Sequence, residues 1–85
     1  MPTVLQKQGW RLFFYYNERN EPPHIHAQKG DVDCKFWLIA PRFEIEEAYG
    51  YNLSPKDRRA VRQIIFENFD YLISEYRRIH KGNDP

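Results

Sequence analysis

The chain has 85 residues, of which 41% are hydrophobic and 16% aromatic, and its formal net charge is +1. This length predicts a single domain over residues 1–85, and the balanced charge excludes a strongly basic nucleic-acid coat and an acidic tail. The single cysteine excludes an internal disulfide, and no apolar run approaches the roughly 20 residues that span a membrane. Because the N-terminus also lacks the apolar region of a signal peptide, we expect a soluble cytoplasmic protein without a membrane contact.

The first part of the chain predicts β-strands. Residues 3–6 and 10–16 flank a turn at Gln8-Gly9, and the second segment is aromatic on both faces, which favours a central strand. Residues 17–23 are rich in Asn, Glu and Pro and predict a loop.

A β-hairpin is predicted next. The segments His24–Lys29 and Val32–Ile39 flank Gly30-Asp31, a turn signal that fits a two-residue loop. In this register one face is apolar and carries Ile25, Ala27, Cys34, Phe36 and Leu38. The other face carries His24, His26, Gln28, Asp33, Lys35 and Trp37. A three-residue loop is the alternative, and it would place Cys34 beside the histidines.

The second half of the chain predicts a short strand, a turn and a helix. Residues 43–48 alternate weakly and predict a short edge strand after Pro41, with a helical turn as the alternative, and residues 49–52 predict a turn. Ser54 as cap and Pro55 at the first position mark the start of a helix. Its apolar stripe recurs at spacings of three and four: Val61, Ile65, Phe69, Leu72, Tyr76 and Ile79.

These elements predict an α+β fold, a small antiparallel sheet of four or five strands over about residues 3–48, packed against one long C-terminal amphipathic helix. The helix is expected over 54–81, with Gly82 as C-cap and a frayed tail over 82–85. The predicted core consists of Ile25, Phe36, Leu38, Ile65, Phe69 and Leu72.

The segment Pro22-Pro23-His24-Ile25-His26 is the strongest candidate for a site. Two prolines stiffen the backbone, and histidines two residues apart on a strand share one face. One hypothesis is a metal site, for which Asp31, Asp33 and Glu21 are the nearest further ligands. We favour the absence of a metal, because this set is not closed, and we expect no cofactor.

Two further hypotheses concern the same histidines. In a metal-independent ribonuclease, His24 and His26 would act as base and acid, and Lys35 or Arg11 would hold the phosphate. Alternatively the pair faces solvent or a partner and is hydrogen-bonded to Asp33 and to the backbone of Pro22-Pro23.

Aromatic and basic residues suggest binding surfaces. Trp37 shares the histidine face, where it would contact a partner, stack on a base or pack on a neighbouring strand. A weaker hypothesis is an RNA surface that interleaves tyrosines and arginines: Tyr15, Tyr16, Tyr49, Tyr51, Arg58, Arg59 and Arg62. Cys34 is expected to be a small buried hydrophobic residue. The sequence contains no Gly-rich phosphate loop, nucleophile elbow or paired Cys-x-x-Cys.

Five segments also carry a family resemblance. They are Met1-Pro2-Thr3-Val4, Gly9-Trp10-Arg11-Leu12-Phe13-Phe14-Tyr15, Asn20-Glu21-Pro22-Pro23-His24-Ile25-His26, Lys29-Gly30-Asp31 and Lys35-Phe36-Trp37-Leu38. Through them the chain resembles domain-of-unknown-function family 4160, a family of small bacterial proteins, and the Pro-Pro-His-Ile-His core is the specific part. The link over residues 39–51 looks longer than is usual in the family. The resemblance implies a component of a toxin–antitoxin-like gene pair, with a protein partner and a role directed at RNA, but it assigns no catalytic residue.

We therefore expect a small protein-interaction module that acts with a small protein partner or as a homo-oligomer. His24, His26 and Trp37 would lie in or next to the contact surface, together with Glu21, Pro22, Pro23 and Asp33. The ribonuclease is the alternative, and RNA remains a second class of partner.

Overall fold

The computed structural model describes residues 3–15 and 21–81, and it has the expected α+β architecture. Five antiparallel strands form one sheet in the order β1-β2-β3-β4-β5, so each strand pairs with the next along the chain. The strands are β1 Thr3–Lys7, β2 Trp10–Phe13, β3 His24–Lys29, β4 Val32–Ile39 and β5 Glu44–Tyr51, and the helices are α1 Pro55–Glu67 and α2 Phe69–Lys81. Tyr16, most of the predicted loop, Gly82 and the predicted tail lie outside the described residues.

The β3–β4 hairpin has the predicted register. Ile25 lies opposite Phe36, and Lys29 lies opposite Val32, which leaves a two-residue loop at Gly30-Asp31. Gly30 adopts a φ of +59°, a conformation that glycine takes without steric cost. The apolar residues of the two strands therefore share one face, as the alternation predicted.

The prediction of one helix over 54–81 is wrong, because the helix is divided at Asn68. Its backbone leaves helical geometry at φ −122° and ψ 21°. The Asn68 side chain donates a hydrogen bond to the Ile64 carbonyl at 2.8 Å, which satisfies a group at the end of α1. The Asn68 carbonyl accepts from the Leu72 N–H at 2.9 Å and so begins α2. Asparagine favours such a break because its short amide competes with the backbone ladder.

The predicted turn over residues 49–52 is also wrong, since β5 continues to Tyr51. The cause is a β-bulge: Lys35 pairs with Tyr49 but Phe36 pairs with Glu47, so Ala48 is an extra residue. A bulge of this kind shifts the alternation of side chains by one position. The predicted edge strand itself is confirmed, preceded by a 3-10 turn over Ala40–Arg42.

The core lies between both helices and the apolar face of the sheet. All six predicted core residues are buried there in one cluster. The Ser54 hydroxyl caps α1 by accepting a hydrogen bond from the Asp57 N–H at 3.1 Å, as predicted. Neither helix of the described chain is long and apolar enough to cross a membrane.

Candidate functional site

We call the sheet face opposite the core the open face; α2 reaches its border at His24, where the Tyr76 ring contacts the imidazole. Antiparallel pairing aligns its side chains in three rows across the strands. Phe13, His26, Lys35 and Tyr49 form the central row, His24, Trp37 and Glu46 the second, and Arg11, Gln28, Asp33 and Tyr51 the third. The fold therefore brings the predicted residues Arg11, His24, His26, Asp33, Lys35 and Trp37 onto one face.

His26 is enclosed by aromatic rings and is only 2% exposed. The ring of Phe13 stacks on it with a centroid separation of 5.4 Å, and the edge of Tyr15 approaches within 4.8 Å. The Tyr49 hydroxyl lies 3.3 Å from His26 Nδ1 in a hydrogen bond. The bulge at Ala48 makes this contact possible, because it turns Tyr49 onto the open face beside Lys35.

His24 is completely buried at the start of β3. Its Nδ1 lies 2.9 Å from the Pro22 carbonyl, and because a carbonyl only accepts, Nδ1 carries the proton in this bond. The ring centroids of His26, Trp37 and Tyr76 lie 5.2, 5.6 and 5.6 Å away. His24 thus joins the open face to the C-terminal half of α2.

The Pro22-Pro23 segment is held by hydrogen bonds at each end, to β4 at Pro23 and to α2 at the preceding residue, Glu21. The Pro23 carbonyl accepts from the Leu38 N–H at 2.9 Å, which continues the pairing with β4. The Tyr76 hydroxyl donates to the Glu21 carbonyl at 2.7 Å. Two prolines suit this extended segment, because they restrict its backbone before folding and so reduce the conformational entropy that is lost when these bonds form.

Lys35 is buried in the middle of the open face and pairs with a carboxylate. Its Nζ lies 2.6 Å from Glu21 Oε1 and 4.3 Å from the centroid of Trp37. The ammonium group therefore orders Glu21 and Trp37 against the sheet, and a phosphate would have to compete with the Glu21 carboxylate for it.

Arg11 and Asp33 lie in the third row, two residue pairs along the strands from His26. The Arg11 guanidinium lies 4.5 Å from the Phe13 centroid, and its Nε donates to Thr3 Oγ1 at 2.7 Å. Asp33 lies opposite Gln28 and Tyr51. Arg11 and Asp33 thus lie in the neighbouring row and do not themselves cover the His26 ring.

The enclosure limits the chemistry of the histidine pair. Within residues 3–15 and 21–81, no group of three or more His, Cys, Asp or Glu side chains is placed to hold a metal ion. Both imidazoles are covered by aromatic rings, so RNA would reach them only after those rings moved. The ribonuclease hypothesis stays a prediction, and this geometry does not favour it.

The structure adds residues that the sequence analysis did not place at the site. Phe13, Tyr15 and Tyr49 surround His26, and Tyr76 and His80 approach from α2. His80 is 5% exposed, and its ring nitrogens lie 3.0 Å from the Tyr76 carbonyl and 3.2 Å from the Tyr15 carbonyl. The spacing of four residues between Tyr76 and His80 was the available signal, since it places both on one helix face.

The tyrosines and arginines of the weaker RNA hypothesis do not share one face among the described residues, and this geometry does not favour the hypothesis. Tyr49 and Tyr51 lie on the open face, whereas Arg58 pairs with Glu47 on the helix side at 2.7 Å. The sheet therefore separates the two sets. Tyr16 lies outside the described residues.

Cys34 is buried in the core, as predicted, and its thiol donates to the Ala27 carbonyl at 3.6 Å. Burial, and then the negative charges of Asp33 and Glu47, raise its pKa to about 12. Because the thiolate is the reactive form, we expect iodoacetamide at pH 8 to leave the folded protein unmodified and to alkylate it fully in denaturant. Mass spectrometry measures both, and rapid alkylation without denaturant would contradict the burial of Cys34.

The family model of a domain of unknown function, DUF4160, matches residues 9–77. A search of curated proteins and a search of solved structures each found no match to this chain. The matched region begins before β2 and ends within α2, so it includes the Pro-Pro-His-Ile-His segment and every residue of the three open-face rows. The chain belongs to the DUF4160 family.

Proposed function

We propose that this chain is a protein-binding module whose open face contacts a small partner protein. The observation that supports the proposal is that solvent-accessible aromatic rings of the open face rest on buried side chains that hold them in place. Tyr51 is 62% exposed and contacts the Tyr49 ring, Trp37 is half-buried and contacts the His24 ring, and both lie on the open face. Tryptophan and tyrosine are the residues that contribute most to protein interfaces.

The contacts beneath these rings make the surface suitable for binding. Trp37 is held by two contacts, with the Lys35 ammonium 4.3 Å and the His24 ring centroid 5.6 Å from its own ring centroid. A side chain that is already held in place loses little rotamer entropy when a partner covers it. His24 and His26 therefore contribute to binding as buried supports rather than as exposed contacts.

The setting that we propose follows the family resemblance. We infer that the protein works in the bacterial cytoplasm as one component of a toxin–antitoxin-like pair, bound to another small protein. A second copy of the chain and RNA are the other partners that the experiments below distinguish.

A photo-crosslinking amino acid tests the proposal in cells of the native host. We expect the probe at Tyr51 to capture a distinct partner protein, whereas the probe at Tyr71, which is 45% exposed on α2, does not. Trp37→Ala should weaken binding of the captured partner roughly tenfold or more, the effect of losing an interface hot spot.

Two controls separate binding from folding. Tyr51→Ala alters an exposed ring and should weaken binding with an unchanged unfolding midpoint in urea. Trp37→Phe should retain part of the binding, because it keeps an aromatic ring beside Lys35. Equal capture by both probes, or unchanged binding by Trp37→Ala and Tyr51→Ala, would refute the proposal. Capture of RNA or of the chain itself would assign a different partner.

A further inference from the structure

We propose that the outer edge of β5 binds an extended basic segment of the partner, which joins the sheet as an additional strand. This inference rests on the proposed function, because it names the chemistry of the partner at the border of the open face. Strand addition combines main-chain hydrogen bonds with alternate side chains that set specificity.

Strand β5 forms one outer edge of the sheet. It is the last strand of the sheet, has eight residues and pairs only with β4 among the described strands. Alternate backbone N–H and C=O groups of such a strand point away from the sheet and are available to another chain. Arg58 holds the strand in place, since its Nε and a terminal nitrogen donate to the Glu47 carboxylate at 2.7 and 3.3 Å.

The side chains that β5 contributes to the open face are acidic and aromatic. In chain order these are Glu44, Glu46, Tyr49 and Tyr51. Both carboxylates are exposed. Glu44 Oε2 lies 3.7 Å from Arg42 Nε in a solvent-exposed ion pair, whereas Glu46 makes no hydrogen bond or ion pair within the described part of the chain. Carboxylates attract cations by charge, and phenol rings attract them over their faces, so Glu46 and the exposed ring of Tyr51 favour Lys or Arg at the facing residues of an added strand.

The bulge at Ala48 is what gives the edge this uniform character. In a regular strand Tyr49 and Tyr51 would share a face with Glu47 rather than with Glu46. The extra residue moves both rings to the side of Glu44 and Glu46. The edge consequently presents two acidic and two aromatic positions to the same row of partner side chains.

A second copy of this chain is disfavoured as the occupant. In an antiparallel pair of two full β5 strands, Glu44 and Glu46 of each copy would lie opposite Tyr51 and Tyr49 of the other, and since β5 contains no Lys or Arg these carboxylates would meet no cation. A parallel pair would place the glutamates opposite one another, and opposed like charges destabilise a sheet. The opposite edge is less suited to addition, because β1 has five residues and its Val4 carbonyl already accepts from the Tyr71 hydroxyl at 3.0 Å. Charge complementarity therefore selects an extended basic segment.

Synthetic peptides test the inference on the whole chain. A peptide as long as β5, in which lysine and threonine alternate, should shift the backbone amide resonances of Glu44–Tyr51 and slow hydrogen exchange at alternate residues of that strand. A peptide with glutamate in place of lysine should not bind. Two N-methylated lysine peptides extend the test, one methylated at the odd-numbered residues and one at the even-numbered residues. Only one of them should lose binding, because only alternate N–H groups of the peptide face β5.

Matched variants give the size of the effect. Glu46→Lys should weaken binding of the lysine peptide about tenfold, since it replaces an attraction by a repulsion. Glu67→Lys makes the same change in net charge at an exposed position of α1 and should leave the affinity unchanged. The unfolding midpoint of Glu46→Lys checks that the variant is folded.

Several outcomes would overturn the inference. They are equal binding of the glutamate and lysine peptides, no binding of the lysine peptide at millimolar concentration, unchanged binding of both N-methylated peptides, and a dimer of the free protein joined through β5. If a partner is captured at Tyr51 but the lysine peptide fails to displace it, the inference fails while the proposed function stands. If no partner is captured at all, the proposed function fails.

Discussion

Leu72→Ala should lower the free energy of unfolding by about 2–5 kcal/mol. Leu72 is completely buried near the start of α2, within the cluster that joins the helices to the sheet. The substitution removes apolar contacts and leaves a cavity that rigid sheet neighbours fill only in part. For a domain of this size, the loss is a large fraction of the total stability.

Urea unfolding followed by circular dichroism measures this change. Arg77→Ala is the matched control, because Arg77 lies on the exposed side of the same helix, and its effect should stay within about 0.5 kcal/mol. A comparable small effect for Leu72→Ala would show that α2 presents a different face to the sheet.

His24→Ala should destabilise the protein by about 2–4 kcal/mol, because it removes a buried ring and a hydrogen-bond donor. The ring lies among Trp37, Tyr76 and His26, and its Nδ1–H donates to the Pro22 carbonyl. We therefore expect the unfolding midpoint to fall and the Pro22-Pro23 segment to lose its fixed position.

His24→Phe separates packing from hydrogen bonding. It retains an aromatic ring but leaves the Pro22 carbonyl without its donor, so we expect an intermediate loss of about 1–3 kcal/mol. The ribonuclease hypothesis makes the opposite prediction for His24→Ala, namely that cleavage of RNA is lost while stability is nearly intact. Unchanged unfolding together with loss of RNA cleavage would therefore favour catalysis over structural support.

Local patterns determined the hairpin, the helix start and the core. The two-residue loop at Gly30-Asp31 and the alternation of Ile25, Ala27, Cys34 and Phe36 define one register, because a slip of one residue would expose the apolar face. Helix periodicity placed Leu72 inside for the same reason. These features depend on neighbours a few positions apart in the chain, so the sequence alone contains them.

Tertiary structure decided what surrounds the histidines. Alternation placed His24 and His26 on the face opposite the core, but it did not reveal that Tyr15, Tyr49 and Tyr76 enclose them. These rings come from segments distant in the chain, and one of them reaches the site only through the bulge at Ala48. A bulge depends on pairing between strands, and burial depends on long-range packing. Neither leaves a periodic signal, which is why the sequence alone did not show that both imidazoles are buried.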